Sequence, residues 1–214
     1  MNKPRVLLAD DHTLVLDGFQ KLLETYCELV GTAEDGRAVV EAAERLKPDL
    51  VLLDIAMPRL NGIEAARKLK KQHPGMKVIF VTMHADAPYI KAAFKAGASG
   101  YLLKRSAGQE LIQAIQVVMK GEFYLTPLIT KGVISGFLDP TQIHVPAVED
   151  LTARQREILQ LVAEGYSAKE IASQLKTSHR TVEFHKAKIM EQLHLRSTTD
   201  LVKFAMVHGL VTGL

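Results

Sequence analysis

The 214 residues, 47% hydrophobic and 24% charged, have the balance of an ordinary folded protein with room for one large domain or two modest ones. No apolar run approaches the roughly 20 residues that span a bilayer, the N-terminal MNKPRVLLADDH meets two acids too early for a secretory signal, and the single cysteine, Cys27, excludes an internal disulfide framework or a cysteine-rich zinc site. A cytoplasmic protein with no membrane partner is expected. The net charge of +3 is unevenly placed, because residues 151–214 hold 9 basic and 6 acidic side chains and so carry the whole excess, together with four of the eight histidines. Such a segment is either a solvated basic surface or a face for an anionic partner.

From the start of the chain, short apolar runs alternate with helical patterns. The runs are RVLLA, CELVGTA, DLVLLD, KVIFVT and GYLLK; between and after them lie LVLDGFQKLLE, AVVEAAERL, GIEAARKLKK, PYIKAAFKAG and ELIQAIQVVMKG. Five strand–helix units predict an α/β domain, a doubly wound five-stranded parallel sheet covered on both faces by helices, over residues 1–121. The stretch 122–148 is less regular. LTPLITKGVISGFL carries a helix or helical turn beginning near Thr126–Pro127, and DPTQIHVPAVED, with two prolines and no period, is a linker. From residue 149 onward the pattern is purely helical, so a second, all-α four-helix domain is expected over 149–214.

Polar residues recur at the strand ends. Asp10 and Asp11 follow the first strand, Asp54 ends the third, Thr82 the fourth and Lys104 the fifth. In a parallel sheet these ends share one edge, and three carboxylates gathered there raise one another's pKa unless a cation joins them. Oxygen ligands select a hard ion, and a small set of protein ligands suits Mg²⁺, which keeps waters and pairs with phosphate. Lys104 as a point charge and Thr82 as a donor complete a phosphate cradle, in which an oxygen of Asp54 can attack a phosphoryl group. Gly62 is expected to let the loop after Asp54 turn into the next helix. A lone aspartate after a strand is more often a turn or an N-cap; these five polar residues together, at four strand ends, are hard to explain that way.

The segments LLADDH, VLLDIAMPRLNGIEA, VIFVTMHAD and AGASGYLLKRS resemble the receiver domain of two-component response regulators, a flavodoxin-like fold, over residues 1 to about 121. The resemblance implies that Asp54 is the phosphoacceptor for a sensor histidine kinase. It implies that Asp11 and Asp54, with the backbone carbonyl of Ala56, hold Mg²⁺, supported by Asp10 through water. Thr82, Tyr101 and Lys104 are then the switch, with Tyr101 rotating inward behind Thr82 on phosphorylation. Tyr101 has an alternative as a half-buried strand aromatic.

In the last 64 residues, Thr152, Ser167, Ser178 and Ser197 each precede a helical run and read as N-caps, and Gly165 reads as a C-cap. Two short helices joined at Lys176–Thr177 form a helix-turn-helix pattern. In the third helix Val182, Ile189 and Leu193 share the core face, leaving Arg180, Phe184, Ala187 and Glu191 opposite, flanked by Thr181, Glu183 and Lys188. If this face meets double-stranded DNA, Arg180 suits guanine, Glu183 cytosine N4, and Phe184 and Ala187 a thymine methyl. Lys169, Thr181, Lys186 and Lys188 read as phosphate contacts. The alternative is a helical interaction bundle with a solvated basic surface.

LTARQREILQLVAEGYSAKEIASQLKTSHRTVEFHKAKIMEQL is similar to the LuxR-type helix-turn-helix, and a receiver followed by this domain is the NarL/FixJ architecture. Here Gln155, Ala168 and Glu183 stand where glutamate, asparagine and lysine are common, and Glu183 points to a different target sequence. The resemblance implies a DNA-binding transcriptional regulator whose activated form is a homodimer paired through the last helix, Ser197 to His208, although much of LVKFAMV is also suited to the core. Two rivals remain at this level. One is an Mg²⁺-dependent phosphohydrolase with Asp54 as nucleophile, against which Ala56 occupies the place of the usual second acid. The other is a phosphorylation-independent DNA-binding dimer.

Overall fold

In the computed structural model the described residues are 3–129, 148–208 and 210–211. The chain divides into two compact units, one of Met1–Met57 and Asn61–Thr141, the other taking in Pro58–Leu60 and Gln142–Leu214. The first is α/β and runs β1 (Arg5–Ala9), α1 (Thr13–Leu23), β2 (Glu28–Ala33), α2 (Gly36–Leu46), β3 (Leu50–Leu53), α3 (Gly62–Gln72), β4 (Lys77–Thr82), α4 (Ala87–Lys95), β5 (Gly100–Leu103), α5 (Lys104–Met119) and β6 (Tyr124–Leu125). The strands pair in the order β2-β1-β3-β4-β5-β6, all parallel.

The sheet therefore has six strands rather than the expected five. The sixth is two residues long, too short to show an alternation in sequence, and lies in the stretch read as the start of the linker. Its pairing, Gly100 with Tyr124 and Tyr101 with Leu125, is supplemented by side chains. The hydroxyls of Tyr124 (3.1 Å) and Thr126 both donate to Glu110 Oε2, and Ser106 Oγ lies 3.2 Å from Thr126 Oγ1. Residues 127–129 are helical; the remainder of the expected linker, 130–147, lies outside the described residues. The fifth helix also begins at Lys104, earlier than ELIQAIQVVMKG indicated, because KRSAGQ carries no apolar period.

Because side chains alternate across a strand, one face of the sheet packs Val6, Leu8, Leu50, Leu52, Ile79, Val81 and Leu102 against Leu16 and Leu23 of α1 and Leu111, Ile115 and Val118 of α5. All four residues of β3 are 2% exposed or less, which accounts for its unbroken apolar run. Chain order reverses at the centre of the sheet, between β1 and β3. There Ala9 registers with Leu53, while Thr82 registers with Leu103. The residues that follow Ala9, Leu53 and Leu103, namely Asp10, Asp54 and Lys104, are delivered with Thr82 to one edge by strand register.

The second unit holds a 3₁₀ turn (Val148–Asp150) and four helices, α6 (Ala153–Ala163), α7 (Ala168–Gln174), α8 (His179–Gln192) and α9 (Thr198–Val207). The side chains of Thr152, Ser167, Ser178 and Ser197 each accept a backbone N–H in the first turn, and α6 and α7 carry full capping boxes through Gln155 and Glu170. Among the described residues, three of these helices close in the Schellman pattern. After α6 Gly165 has φ +88 with Tyr166 N bonded to Leu161 O; after α7 Lys176 has φ +49 with Thr177 N bonded to Ala172 O; after α8 His194 has φ +54 with Leu195 N bonded to Met190 O. Two of the three left-handed positions thus hold a residue other than glycine. Among the described residues no helix is long and apolar enough to cross a membrane.

Candidate functional site

Asp54 follows β3 directly and is 4% exposed; Asp10 follows β1 and is 2% exposed. Lys104 Nζ lies 2.7 Å from Asp54 Oδ2 and 2.7 Å from Asp10 Oδ2. Leaving two buried carboxylates without compensation costs several kcal/mol each, and a single ammonium serves both. The other oxygens are held by main chain: Ile55 N donates to Asp54 Oδ1 at 2.7 Å and His12 N to Asp10 Oδ1 at 3.0 Å. Burial opposes the charge on Lys104, but the attraction of Asp54 and the hydrogen bonds to Asp10 and Asp54 outweigh it and hold its pKa above the ordinary ammonium value.

Asp11 is more open, its side chain 27% exposed, and its Oδ1 lies 2.8 Å from His12 Nδ1. Asp10, Asp11 and His12 present three ligand atoms within 4.8 Å of one another. Asp54 is joined to this group through Lys104, and Ala56 lies in the bend two residues beyond it. As a donor set, three carboxylates against one ammonium leave a formal excess of negative charge, and the oxygens are of the kind a hard divalent cation takes. The residues fit such an ion. His12 adds a nitrogen at the rim; it was not singled out from the sequence, although it follows the two acids directly.

Thr82 is fully buried, and its Oγ1 accepts a long bond, 3.4 Å, from His84 N. The Tyr101 hydroxyl donates to the His84 carbonyl at 2.9 Å and its ring lies 6.2 Å from that of Phe80, with no solvent exposure. Burial, then the nearby Asp54, push its phenol pKa far up, so it stays a donor. Tyr101 is therefore fully buried rather than half-buried. Its anchor, the main chain of His84, leaves no mark in the sequence. The His84 ring stacks on Tyr89 at 4.1 Å.

Gly62 has another reason to be glycine than the one expected. A Cβ there would stand 1.9 Å from the Asp54 carbonyl oxygen, while its own N–H donates to Ile55 O at 2.8 Å. Close approach to the Asp54 main chain, not a left-handed turn, sets the requirement.

In the helical unit, Val182, Ile189 and Leu193 are buried, while Arg180, Glu183, Ala187, Lys188 and Glu191 are exposed and Phe184 is 59% exposed. Thr181 and Lys186 are half-buried, and Lys169 on α7 is exposed. The exposed strip of α8 is the one the helical period indicated. Three of its members are engaged. Lys188 donates to Glu191 Oε2 at 2.7 Å, and Thr181 Oγ1 lies 2.8 Å from the capping Ser178 Oγ. That lysine shares its charge with a carboxylate one turn on, a pairing that spacing allowed but that phosphate was expected to fill.

Residues 6–116 match the family model of the response regulator receiver domain, and residues 149–205 that of the bacterial regulatory proteins of the luxR family. The chain is 35% identical over 226 residues to a transcriptional regulatory protein, DegU, of Brevibacillus brevis, covering 98% of this chain and 96% of that protein. It is 35% identical over 209 residues to the oxygen regulatory protein NreC of Staphylococcus carnosus strain TM300, covering 94% and 96%. The RcsB response regulator of Salmonella typhimurium, solved in connection with conformational dynamism for DNA interaction, is similar at a TM-score of 0.65 and 27% identity, over 97% of this chain and 99% of that one. With the two models met in succession along the chain, and relatives aligned over almost all of it, the protein belongs to the two-component response regulators of the NarL/FixJ subfamily, transcription regulators in which a receiver precedes a DNA-binding helix-turn-helix.

Proposed function

We propose that Asp54 receives a phosphoryl group from a sensor histidine kinase in the cytoplasm, and that this modification in the receiver, residues 1–121, controls dimerisation and sequence-specific DNA binding by residues 149–214 through the connecting 122–148. The observation that carries the reading is the placement of Asp54: nearly buried at a sheet edge, with one oxygen 2.7 Å from an ammonium that it shares with Asp10.

In the transfer an Asp54 oxygen forms the new bond to phosphorus as the bond from phosphorus to the donor's imidazole nitrogen breaks, and the imidazole regains a proton from solvent. Asp11, Asp54 and the Ala56 carbonyl, with Asp10 through water, are the groups that would hold Mg²⁺, which would supply charge neutralisation for the phosphoryl oxygens. Lys104 stays charged and offers a second cation to the product. Thr82 turns its hydroxyl from His84 N to a phosphoryl oxygen, an exchange favoured by the length of the bond it gives up. Tyr101, already buried, is the side chain that this exchange locks. Chemistry of this kind consumes the acceptor once per cycle, so the chain acts as a switch and not as a turnover enzyme. On α8, Arg180, Glu183, Phe184 and Ala187 face base edges, and Lys169, Thr181, Lys186 and Lys188 the phosphates.

The test is to incubate the full chain with acetyl phosphate and Mg²⁺ and read intact mass, solution mass and DNA affinity. One phosphoryl group per chain, absent in Asp54→Asn, with a shift toward dimer and tighter DNA binding, is the expected result. Continuous phosphate release would instead mark a phosphohydrolase, and a DNA affinity indifferent to the adduct would mark a phosphorylation-independent binder.

A further inference from the structure

We propose that Arg180 and Glu183 together read one C·G base pair in each DNA half-site, Glu183 accepting from the cytosine amino group and Arg180 donating to the guanine. The proposal rests on the reading of α8 as the helix that enters DNA.

Both side chains are exposed and stand three residues apart, near the N-terminal end of α8. That spacing places them side by side and is one at which opposite charges ordinarily pair. Lys188 and Glu191, with the same spacing on the same helix, do pair, at 2.7 Å. Arg180 and Glu183 form no ion pair or hydrogen bond with each other or with any other described residue, and Lys186, three residues beyond Glu183, leaves it free as well. The helix thus presents an adjacent acid and base, both with unused hydrogen-bonding capacity, at the end that touches base edges in a recognition helix.

A carboxylate on a surface that approaches phosphates is repelled unless it meets a donor. On the major-groove edges the donors are the amino groups of cytosine and adenine; guanine and thymine offer acceptors. Adenine sets its N7 acceptor beside the amino group, which repels a second carboxylate lone pair, whereas cytosine has no acceptor on that edge. Cytosine is therefore the base a carboxylate selects. Its partner guanine shows O6 and N7 together, the pattern a guanidinium forks onto. Donor and acceptor on the pair are matched by acceptor and donor on the helix. Phe184, next to Glu183 and 59% exposed, has its ring edge-on to His185 at 5.7 Å; it supplies an apolar surface for a thymine methyl next to the C·G pair.

The experiment is a selection from a random duplex library with the full chain, treated with acetyl phosphate and Mg²⁺, as wild type, Glu183→Gln and Glu183→Lys. The exposed position keeps all three folded, which circular dichroism checks. The wild type is expected to select sites with a cytosine at one fixed position per half-site, Glu183→Gln to lose that preference, and Glu183→Lys to exchange it for guanine. Replacing that cytosine by 2-pyrimidinone, which lacks the amino group, is expected to weaken wild-type binding by about 10-fold or more and Glu183→Gln far less. Identical preferences in all three proteins would overturn the assignment, as would a Glu183→Gln protein that binds every sequence more tightly by the same factor, since Glu183 would then only repel phosphate. If the wild type enriches no sequence while still binding DNA, this assignment falls alone; if it does not bind DNA, the reading of α8 falls with it.

Discussion

At Asp54 the nearest covalent neighbours matter less than a residue eight positions on. Gly62 is packed so closely that an added methyl would meet the Asp54 carbonyl at 1.9 Å, a distance no relaxation of a side chain can relieve because the obstacle is backbone. Gly62→Ala is expected to destabilise the protein by about 1–3 kcal/mol and to slow adduct formation with acetyl phosphate, as Asp54 shifts from Lys104. Urea melts give the first quantity and time-resolved intact mass the second; a fully stable variant with an unchanged rate would contradict the packing account. This requirement was not legible in the sequence, where the glycine of an Asn61-Gly62 pair reads as conformational freedom. The acids, Thr82 and Lys104 were legible because each ends or follows an apolar run. His12 and His84 were not, since one adds only a ring nitrogen beside two stronger signals and the other acts through its main chain.

Among the elements, the strands announced themselves by apolar runs and the C-terminal helices by their caps, whereas β6 and the first turns of α5 carry no periodic signal. Caps also give two quantitative expectations. Lys176 holds a left-handed conformation, φ +49, at the end of α7, which a side chain with a Cβ adopts at a cost of roughly 1 kcal/mol. Lys176→Gly should therefore raise stability by at most about 0.5 kcal/mol net of the greater freedom of glycine in the unfolded chain, read as a higher urea midpoint at unchanged slope; a lower midpoint would show that the lysine makes compensating contacts. At the other end of α7, Glu170 accepts from Ser167 N at 2.8 Å and Ser167 Oγ at 2.6 Å. These bonds favour the charged form and hold its pKa below the ordinary carboxylate value. A depressed folded pKa means that its contribution is present above the unfolded value, near 4.5, and is lost as pH falls through the folded one. The stability difference between wild type and Glu170→Gln should accordingly be seen at pH 7 and vanish in acid, as thermal melts across that range would record.

For the molecule as a whole, the charge distribution separates two tasks. The α/β part is neutral overall and spends its charges on one another, as at Lys104, while the excess of +3 lies in residues 151–214. Binding of a polyanion through that excess should weaken steeply with salt, each phosphate contact adding about −0.9 to the slope of log affinity against log salt on duplex DNA. Lys186→Ala is expected to reduce that slope by about one and to weaken binding to all sequences alike, in contrast to changes at Glu183. A slope unaltered in fluorescence titrations would remove Lys186 from the phosphate contacts. The division into a sheet domain and a helical domain, and the side of α8 left uncovered, followed from periodicity alone; which of the exposed lysines is already occupied, as Lys188 is by Glu191, required coordinates.

One ammonium bonded to two acids behaves as a balance beam. Whatever makes Asp54 the heavier arm draws Lys104 toward it and lightens the hold on Asp10, whose second oxygen grips the amide of His12, the residue at the threshold of α1. Under the proposed phosphorylation of Asp54, the tilt of this single side chain would therefore be felt at the opening of the first helix.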